Sequence, residues 1–286
     1  MRVLLVQSFA GEGVPPVFPI GLSYLAGSLE GHEIAGFDPN VERDYIGRLA
    51  SLLKEFRPQA VGISLRNIWP FKCGKSMGLY YKDAVEPLLA AIREHSKARV
   101  IMGGAGFTAY AKEIMEELKE VDYGVFRDGE DAFAELLKDM DSPDKVRGIY
   151  MRREGKVVFT GVPSSRTIDR LPLPRRDIFN VKKYIGVPDS MGVQTKRGCA
   201  FKCSYCVYPY ISGQKIVSRP AASVADEIEV LQREYGIREI AFVDTVFNVP
   251  LSQSQEICRE LTKRRLGIKW SAWFHPKGLT EDYVRM

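Results

Sequence analysis

Short continuous runs of apolar residues alternate with amphipathic segments along the first half of the chain. Such runs are typical of strands buried on both faces of a parallel sheet, and apolar residues at three- and four-residue spacing indicate helices. The predicted strands are Val3–Val6, Ile34–Phe37, Ala60–Leu65, Arg99–Met102 and Tyr123–Phe126, and the predicted helices are Ile20–Leu29, Tyr45–Phe56, Ala84–His95, Lys112–Lys119 and Asp131–Met140. This order predicts a doubly wound α/β domain, with a Rossmann- or flavodoxin-like parallel sheet, over residues 1–141.

Residues 142–190 interrupt this alternation, and we predict a hairpin followed by a connector. The hairpin has Glu154 and Gly155 at its turn. The βα alternation then resumes with strands at Val193–Lys196, Ile240–Val243 and Ile268–Trp273 and with helices at Ala222–Tyr235, Ser252–Arg265 and from Thr280 onward. A closed βα barrel needs about 200 residues or more. We therefore expect residues 191–286 to form about three βα units of a TIM-type barrel that is truncated.

Composition narrows the class of protein. The net charge of +5 is not concentrated in one block, so binding to nucleic acid is not indicated. No apolar run approaches the length of about 20 residues that spans a bilayer, and the start of the chain is too short for a signal peptide. We therefore expect a cytoplasmic protein with no membrane span.

Three of the five cysteines fall within eight residues, which favours a metal site over a disulfide framework.

The clustered cysteines are Cys199, Cys203 and Cys206, in a CxxxCxxC pattern. Thiolates select zinc or iron–sulfur clusters, and a closed zinc site normally has four ligands. Cys258 lies far away in a predicted helix, and nothing in the spacing points to His275 as a fourth ligand. Three thiolates on one loop fit three irons of a [4Fe–4S] cluster and leave the fourth iron open. A zinc site and a chance spacing are the less favoured alternatives.

The segment Thr195–Cys206, with an aromatic residue before its last cysteine, resembles the signature of the radical S-adenosylmethionine (SAM) superfamily. The resemblance implies that SAM chelates the open iron and is cleaved by one electron to methionine and a 5′-deoxyadenosyl radical. One departure is Ala200, where relatives often have proline. Segments 219–228 and 242–247 resemble the first helix and second strand of the family's barrel. The implied SAM contacts are Tyr205, Arg219 and Asp244, and for Asp244 a turn or capping role stays open.

Glycine-rich or polar loops follow several predicted strands of the first domain, where a doubly wound sheet binds ligands. Glycine there allows a ligand to approach the backbone closely. Residues 103–106 do not form a GxGxxG fingerprint, so NAD is disfavoured. Together with segments 122–125, 128–131 and 168–175, these loops resemble the cobalamin-binding domain that precedes many radical SAM domains. The implied cobalamin contacts are Pro19, Gly21, Ser64, Leu65, Arg66, Gly103, Gly104, Gly106, Gly129 and Glu130.

Some cobalamin proteins ligate cobalt through a histidine in a DxHxxG pattern after the first strand. The corresponding loop here, 7–13, has no histidine. His32 precedes the second strand, at the other end of the sheet. We therefore expect the lower face of cobalt to lack a protein imidazole. Cys73, in a loop near the same cleft, is predicted to be an inert small residue.

The resemblance to class B radical SAM methyltransferases implies an enzyme that uses a [4Fe–4S] cluster, SAM and cobalamin to methylate an unactivated centre of an unknown substrate. Its implied partners are that substrate and an electron donor such as ferredoxin or flavodoxin. One alternative is a non-methylating oxidative or ring-forming enzyme with the same cofactors. A methylthiotransferase is disfavoured because it would carry three cluster cysteines in the first domain. A non-catalytic cobalamin or iron–sulfur sensor is the alternative from another class.

Overall fold

A computed structural model describes residues 1–68, 81–163 and 168–286, which form two compact units. Among the described residues, the first unit comprises 1–163 together with 174–179. The second unit comprises 168–173 together with 180–286. The two units have separate sheets.

A seven-stranded sheet forms the centre of the first unit. Its strands are β1 (Arg2–Gln7), β2 (Glu33–Phe37), β3 (Ala60–Ser64), β4 (Arg99–Gly103), β5 (Tyr123–Val125), β6 (Ile149–Arg153) and β7 (Lys156–Phe159). They lie in the order β2-β1-β3-β4-β5-β6-β7, and the first five are parallel. The order 2-1-3-4-5 is that of flavodoxin-like doubly wound sheets, with its switch point between β1 and β3. The predicted fold class is confirmed.

Helices cover both faces of this sheet. They are α1 (Ile20–Ser28), α2 (Tyr45–Phe56), α3 (Tyr81–His95), α4 (Ala105–Ala109), α5 (Ala111–Glu117) and α6 (Glu130–Lys138). Successive side chains of a strand point to opposite faces. Leu4 and Val6 accordingly pack in one core with residues of α2, α3 and α5. Leu5 points to the other face, where α1 and α6 pack against each other.

The hairpin extends the first sheet. Strand β6 pairs antiparallel with β5, and β7 pairs antiparallel with β6. The turn residues Glu154 and Gly155 both have positive φ angles, as a two-residue hairpin turn of type I′ requires. The hairpin predicted from the sequence is therefore present, and it is part of the sheet of the first unit. The division of the chain at residues 141 and 190 stays a prediction.

The second unit has the expected βα alternation. Its elements are β8 (Gly192–Val193), β9 (Lys196–Arg197), α7 (Tyr208–Ser212), β10 (Val217–Ser218), α8 (Ala221–Tyr235), β11 (Glu239–Phe242), α9 (Leu251–Lys263), β12 (Lys269–Ala272) and α10 (Glu281–Arg285). Strands β8, β11 and β12 are parallel neighbours, while β9 and β10 form a separate antiparallel pair. Helix α8 connects β8 to β11 through the β9–β10 segment, and α9 connects β11 to β12. Three consecutive parallel strands with helical crossovers match the predicted beginning of a barrel.

Local sequence signals explain where several helices begin and end. The carboxylate of Asp44 accepts a hydrogen bond from the N–H of Gly47 and caps α2. Helix α8 ends at Gly236, whose φ of 68° is the left-handed conformation typical of helix ends. The hydroxyl of Thr280 accepts from the N–H of Tyr283 and caps α10, as predicted. No helix in the three described ranges is long and apolar enough to cross a membrane.

Candidate functional site

The three clustered cysteines lie in the loop between β9 and α7. The N–H of Cys199 donates to the carbonyl of Gly213, 2.9 Å away, which ties the start of the loop to the residue after α7. Cys199 is buried, Cys203 is exposed and Cys206 is partly buried, and all three thiols are free. The N–H of Cys206 donates to the carbonyl of Cys203 at 3.1 Å, so these two residues are joined by a turn. The loop is thus fixed at its base and accessible at its tip.

This donor set fits an iron–sulfur cluster in its chemistry. It offers three thiols on one loop, with no disulfide among the described cysteines to consume them. Within the described ranges, no three His, Cys, Asp or Glu side chains stand close enough to hold a metal ion as they are placed. The three thiols would therefore have to come closer together to share one cluster. The assignment of these cysteines as cluster ligands stays a prediction.

Tyr205 projects from the tip of the loop, with 90% of its surface exposed. The neighbouring Cys203 raises the pKa of its hydroxyl, mainly through unfavourable interaction with the thiolate form. The exposed ring is accessible to a bound molecule, as a SAM contact would need to be. The role of Tyr205 in SAM binding stays a prediction.

Asp244 lies two residues after β11, and its carboxylate is fully buried. Its Oδ1 accepts hydrogen bonds from the backbone N–H groups of Thr195 at 2.8 Å and Lys196 at 3.1 Å. Its Oδ2 accepts from the hydroxyl of Thr195 at 2.5 Å and lies 3.8 Å from Nζ of Lys196. Burial raises the pKa of the Asp244 carboxyl, while Lys196 and these hydrogen bonds act in the opposite direction. In this arrangement both carboxylate oxygens of Asp244 are bound to Thr195 and Lys196, which lie in the segment that leads into the cysteine loop.

Lys196 is the cation that accompanies this buried carboxylate. Its ammonium group donates to the carbonyl of Phe247 at 2.7 Å and lies 5.6 Å from the centre of the Phe247 ring. Burial lowers the pKa of Lys196, and the charge of Asp244 opposes that shift. The ammonium group therefore has a backbone acceptor, an aromatic face and a carboxylate around it, which compensates for part of its lost hydration.

Arg219 and Gln253 hold the same segment from two further elements. The N–H of Arg219 donates to the carbonyl of Thr195 at 2.8 Å, and Nε2 of Gln253 donates to that same oxygen at 2.9 Å. The guanidinium of Arg219 donates to Glu227 at 2.5 Å and to the carbonyl of Gln194 at 2.8 Å. Arg219 and Glu227 are almost completely buried. The predicted SAM-binding roles of Arg219 and Asp244 stay predictions, since here both side chains contact protein groups.

An aromatic contact holds the middle of the cysteine loop. The ring of Phe201 stacks on that of His275, with 4.7 Å between the ring centres. Nδ1 of His275 accepts a hydrogen bond from the N–H of Lys277, and its backbone is bonded twice to the side chain of Asn248. His275 therefore supports the loop through its ring face and its backbone.

The predicted cobalamin contacts lie at the carboxyl edge of the first sheet. Gln7, Ser64 and Gly103, the last residues of β1, β3 and β4, are neighbours in register. Leu65 donates its N–H to the carbonyl of Gly103 at 2.8 Å and accepts on its own carbonyl from Gly106 at 2.9 Å. The two loops that follow β3 and β4 are thereby joined directly at the carboxyl edge of the sheet.

Two of the predicted glycines are required by this contact between loops. Gly104 has a φ of 98°, and a Cβ atom there would lie 2.6 Å from the carbonyl oxygen of Leu65. A Cβ atom at Gly106 would lie 3.0 Å from the same oxygen. Gly21, in the first turn of α1, has no atom within 4 Å of the corresponding position. Of these three glycines, only Gly21 therefore has open space at its Cβ position that a ligand could fill.

The remaining predicted contacts belong to the starts of two helices at the same edge. Pro19 and Gly21 lie at the start of α1, and Gly129 and Glu130 at the start of α6. The turn before α6 is fixed by a hydrogen bond of 2.9 Å from the N–H of Arg127 to the buried hydroxyl of Thr108. The topology thus brings the predicted positions to one edge, while their contact with cobalamin stays a prediction. Cys73 lies outside the described residues.

Comparison with known proteins shows what the chain is similar to. Residues 10–137 match the B12 binding domain. An uncharacterized methyltransferase of Pyrococcus horikoshii is 29% identical, over 95% of this chain and 59% of its own length. A cytidylyl-2-hydroxyethylphosphonate methyltransferase of Streptomyces wedmorensis is 26% identical, over 89% of this chain and 55% of its own length.

Two structures of the radical SAM methyltransferase TsrM from Kitasatospora setae have the same fold. The structure with cobalamin and a [4Fe–4S] cluster bound matches with a TM-score of 0.85 and 24% identity, over 99% of this chain and 58% of TsrM. The structure with tryptophan and a SAM analogue bound matches with a TM-score of 0.84 and 25% identity, over 99% of this chain and 56% of TsrM.

The chain is thus similar to the B12 binding domain over residues 10–137, and over 99% of its length it has the fold of TsrM. The relatives and structures named above are methyltransferases. The chain spans little more than half the length of the curated relatives that it matches.

Sequence reasoning missed the polar residues that surround the segment before Cys199. Glu227 lies within segment 219–228 but was not predicted as a site residue, and Gln253, which lies in no motif, is 58 residues from the carbonyl that it binds. Their helical positions predicted only that they would lie on α8 and α9. One weak signal could have indicated that these two residues have polar partners. Both are polar, and both lie on the otherwise apolar, buried face of their helix.

Proposed function

We propose that the chain belongs to a cobalamin-dependent radical SAM methyltransferase, in which the first unit holds cobalamin and the cysteine loop holds a [4Fe–4S] cluster. The observation that carries the proposal is the combination of two features in one chain. Residues 10–137 match the B12 binding domain, and a loop with three free cysteines follows β9 in the second unit. Its methyltransferase relatives support the proposed reaction.

Cys199, Cys203 and Cys206 would each ligate one iron. Once bound, the cluster would supply the electron for reductive cleavage of SAM, and cobalamin would serve as the methyl carrier. The protein's own contribution is to present one buried thiol on a fixed backbone and two thiols on an accessible turn. Tyr205 beside them would contact SAM. The carboxyl edge of the first sheet, with the open position at Gly21, would receive the corrin ring.

The substrate is an unknown molecule with an unactivated centre, and ferredoxin or flavodoxin would supply electrons. We place the protein in the cytoplasm, because reduced thiols are stable there, and we expect no nucleic-acid partner because the positive charge is not concentrated in a block. A non-methylating enzyme with the same cofactors would also release deoxyadenosine, but would transfer no methyl group. A non-catalytic sensor would bind the cofactors and cleave no SAM.

Anaerobic reconstitution with iron, sulfide and hydroxocobalamin tests the proposal. We expect about four irons per chain, a retained cobalamin spectrum, and release of deoxyadenosine when SAM and dithionite are added. Cys203→Ala should lose both the iron and the deoxyadenosine. Cys258→Ala is the matched control, because Cys258 lies partly buried on α9 and should leave both readouts unchanged. Deoxyadenosine release that persists in Cys203→Ala, or a wild-type protein that retains no cobalamin, would contradict the proposal.

A further inference from the structure

We propose that Asp244 is a positioning residue for the cysteine loop: by binding Thr195 and Lys196 it sets where Cys199 lies. The inference rests on the proposed function for the purpose of the loop, and it deepens that function. It also gives Asp244 a role different from the SAM contact expected from the sequence. The two roles lead to different measurable results.

The contacts of Thr195 show how completely this residue is held. It is fully buried, and its N–H and hydroxyl both donate to the Asp244 carboxylate. Its carbonyl accepts from Arg219 and from Gln253. Every polar group of Thr195 is therefore bound to a residue from another element of the second unit. A residue held in this way has little freedom to move.

The interruption of the strand between β8 and β9 has the same cause. Val193 pairs with β11, and Lys196 pairs with β10. Between them, the N–H groups of Thr195 and Lys196 turn to the carboxylate of Asp244 instead of to a neighbouring strand. Asp244 thus replaces a strand partner at the point where the chain leaves the parallel sheet and enters the cysteine loop.

The position of Thr195 limits where Cys199 can lie, because the chain between these two residues is short. Four residue steps reach at most about 14 Å, and Lys196 within that stretch is itself bound by Asp244 and Phe247. The N–H of Cys199 is in turn bound by the carbonyl of Gly213. Cys199 therefore lies between two fixed points, and release of the first would let its buried thiol move.

The hydrogen-bonding capacity of Asp244 favours a positioning role. A carboxylate has about four acceptor sites. Three are used by Thr195 and Lys196 donors, and the ammonium group of Lys196 lies 3.8 Å away. A contact with the amino group of SAM would have to use the one remaining site, which is fully buried and faces the nearby ammonium group of Lys196. A buried charge is retained only when it is well compensated, and here the compensation comes from the chain itself.

Thiol labelling of the cluster-free, reduced protein tests the proposal without a cofactor. Pulses of iodoacetamide, followed by peptide mass spectrometry, give separate rates for Cys199 and Cys203. In the wild type, buried Cys199 should react at least about tenfold more slowly than exposed Cys203. In Asp244→Asn we expect Cys199 to react about tenfold faster than in the wild type, because the lost charged hydrogen bonds favour local opening. The rate for Cys203 should not change.

Two further variants keep the test decisive. Thr195→Val removes only the hydroxyl bond and keeps the buried carboxylate, so it should accelerate Cys199 labelling by a smaller factor even if Asp244→Asn does not fold. Asp282→Asn, an exposed change on α10, is the matched control and should leave both rates unchanged. Cys199 rates equal to wild type in folded Asp244→Asn and in Thr195→Val would overturn the proposal.

SAM binding to the reconstituted protein separates the two roles. Asp244→Asn with normal Cys199 labelling and a normal cluster spectrum, but with weakened SAM binding, would overturn the positioning role in favour of a SAM contact. Faster labelling, together with a cluster that forms less completely before SAM is added, would support positioning. A wild-type protein that takes up no cluster would contradict the proposed function, while the labelling rates would still decide what Asp244 does to the loop.

Discussion

At the scale of single residues, Gly104 joins two loops that a side chain would separate. Its φ of 98° and ψ of 173° lie in a region that only glycine adopts readily. We expect Gly104→Ala to lower the free energy of unfolding by about 2 kcal/mol or more, from backbone strain together with the clash against Leu65. Urea unfolding followed by circular dichroism measures this change. A variant as stable as the wild type would show that the loops can separate at little cost.

Gly21 gives the opposite expectation, although the sequence placed it in the same predicted site. It lies inside helix α1 with open space at its Cβ position. Gly21→Ala should therefore keep or raise stability, by about 0.5–1 kcal/mol, because alanine favours helix over the unfolded chain. If the corrin ring approaches the backbone at Gly21, the same variant should weaken cobalamin retention severalfold. Spectroscopic titration with hydroxocobalamin checks this, and unchanged affinity would remove Gly21 from the site.

At the scale of helices and strands, the apolar pattern predicted most of the fold. Helix α2 was predicted with the observed bounds, Tyr45–Phe56, because its apolar face and its polar cap are both local in sequence. The predicted strand Val193–Lys196 is instead divided in two. The cause is Asp244, which lies 49 residues from Thr195 and gives no local signal. Patterns thus predict elements, whereas long-range polar contacts decide where an element is interrupted.

The loops of the predicted cobalamin edge show a similar limit. The sequence indicates the glycine-rich loop 103–106, but it does not predict the short helix α4 that begins at Ala105. Glycine is unfavourable within helices, so its presence hid this element. The reason for Gly104 also differs from the expected one, since the neighbouring loop rather than a ligand requires it. The sequence could place the candidate site at the right edge of the sheet, but it could not separate structural from ligand-facing positions.

The ion pair between Arg219 and Glu227 joins the end of β10 to helix α8. Its side chains are 2% exposed, and removing one partner of such a pair typically costs about 3–5 kcal/mol because the other charge stays buried and unpaired. We expect Arg219→Met and Glu227→Met each to lose about this much unfolding free energy, and the double variant to recover part of the loss. If Arg219→Met weakened SAM binding and left unfolding unchanged, the SAM contact expected from the sequence would be favoured instead.

Arg264 joins α8 to α9 at the surface and should give that contact a pH dependence. It donates to Glu260 at 2.7 Å and to Asp226 at 2.6 Å, and its hydrogen bond lowers the pKa of Glu260. A lowered carboxyl pKa adds stability above the unfolded value of about 4.3, and that stability is lost as the pH falls through the folded value. Arg264→Met should thus melt about 1–3 °C below wild type at pH 7, with a difference that shrinks below pH 4.

The control for this prediction is Arg259→Met, an exposed change on the same helix. It should melt like the wild type across the pH range. Added salt should reduce the effect of Arg264→Met at pH 7, since exposed ion pairs are screened. A difference that stays constant from pH 7 to pH 3.5 would mean that Arg264 acts through packing and not through its charge.

At the scale of the whole molecule, the two edges of the first sheet have different compositions. The carboxyl edge carries the glycines and polar loop residues of the predicted cobalamin site. Among its described residues, the first unit has two histidines, and both lie at the amino edge of the sheet. His32 lies just before β2, and His95 lies at the end of α3. Burial lowers the pKa of His32, and its Nδ1 has no hydrogen-bond partner. Neither imidazole is placed to reach a ligand at the opposite edge of the sheet.

The distribution of histidines predicts how bound cobalt is coordinated. With no imidazole of the first unit at the carboxyl edge, we expect cobalt to carry no imidazole nitrogen from the first unit. The electron paramagnetic resonance spectrum of bound cob(II)alamin should then be identical in protein made with ordinary histidine and with ¹⁵N-histidine. His32→Ala and His95→Ala should leave it unchanged. A spectrum that changes with the isotope would contradict the prediction, and loss of that change in His275→Ala would identify the second unit as the source.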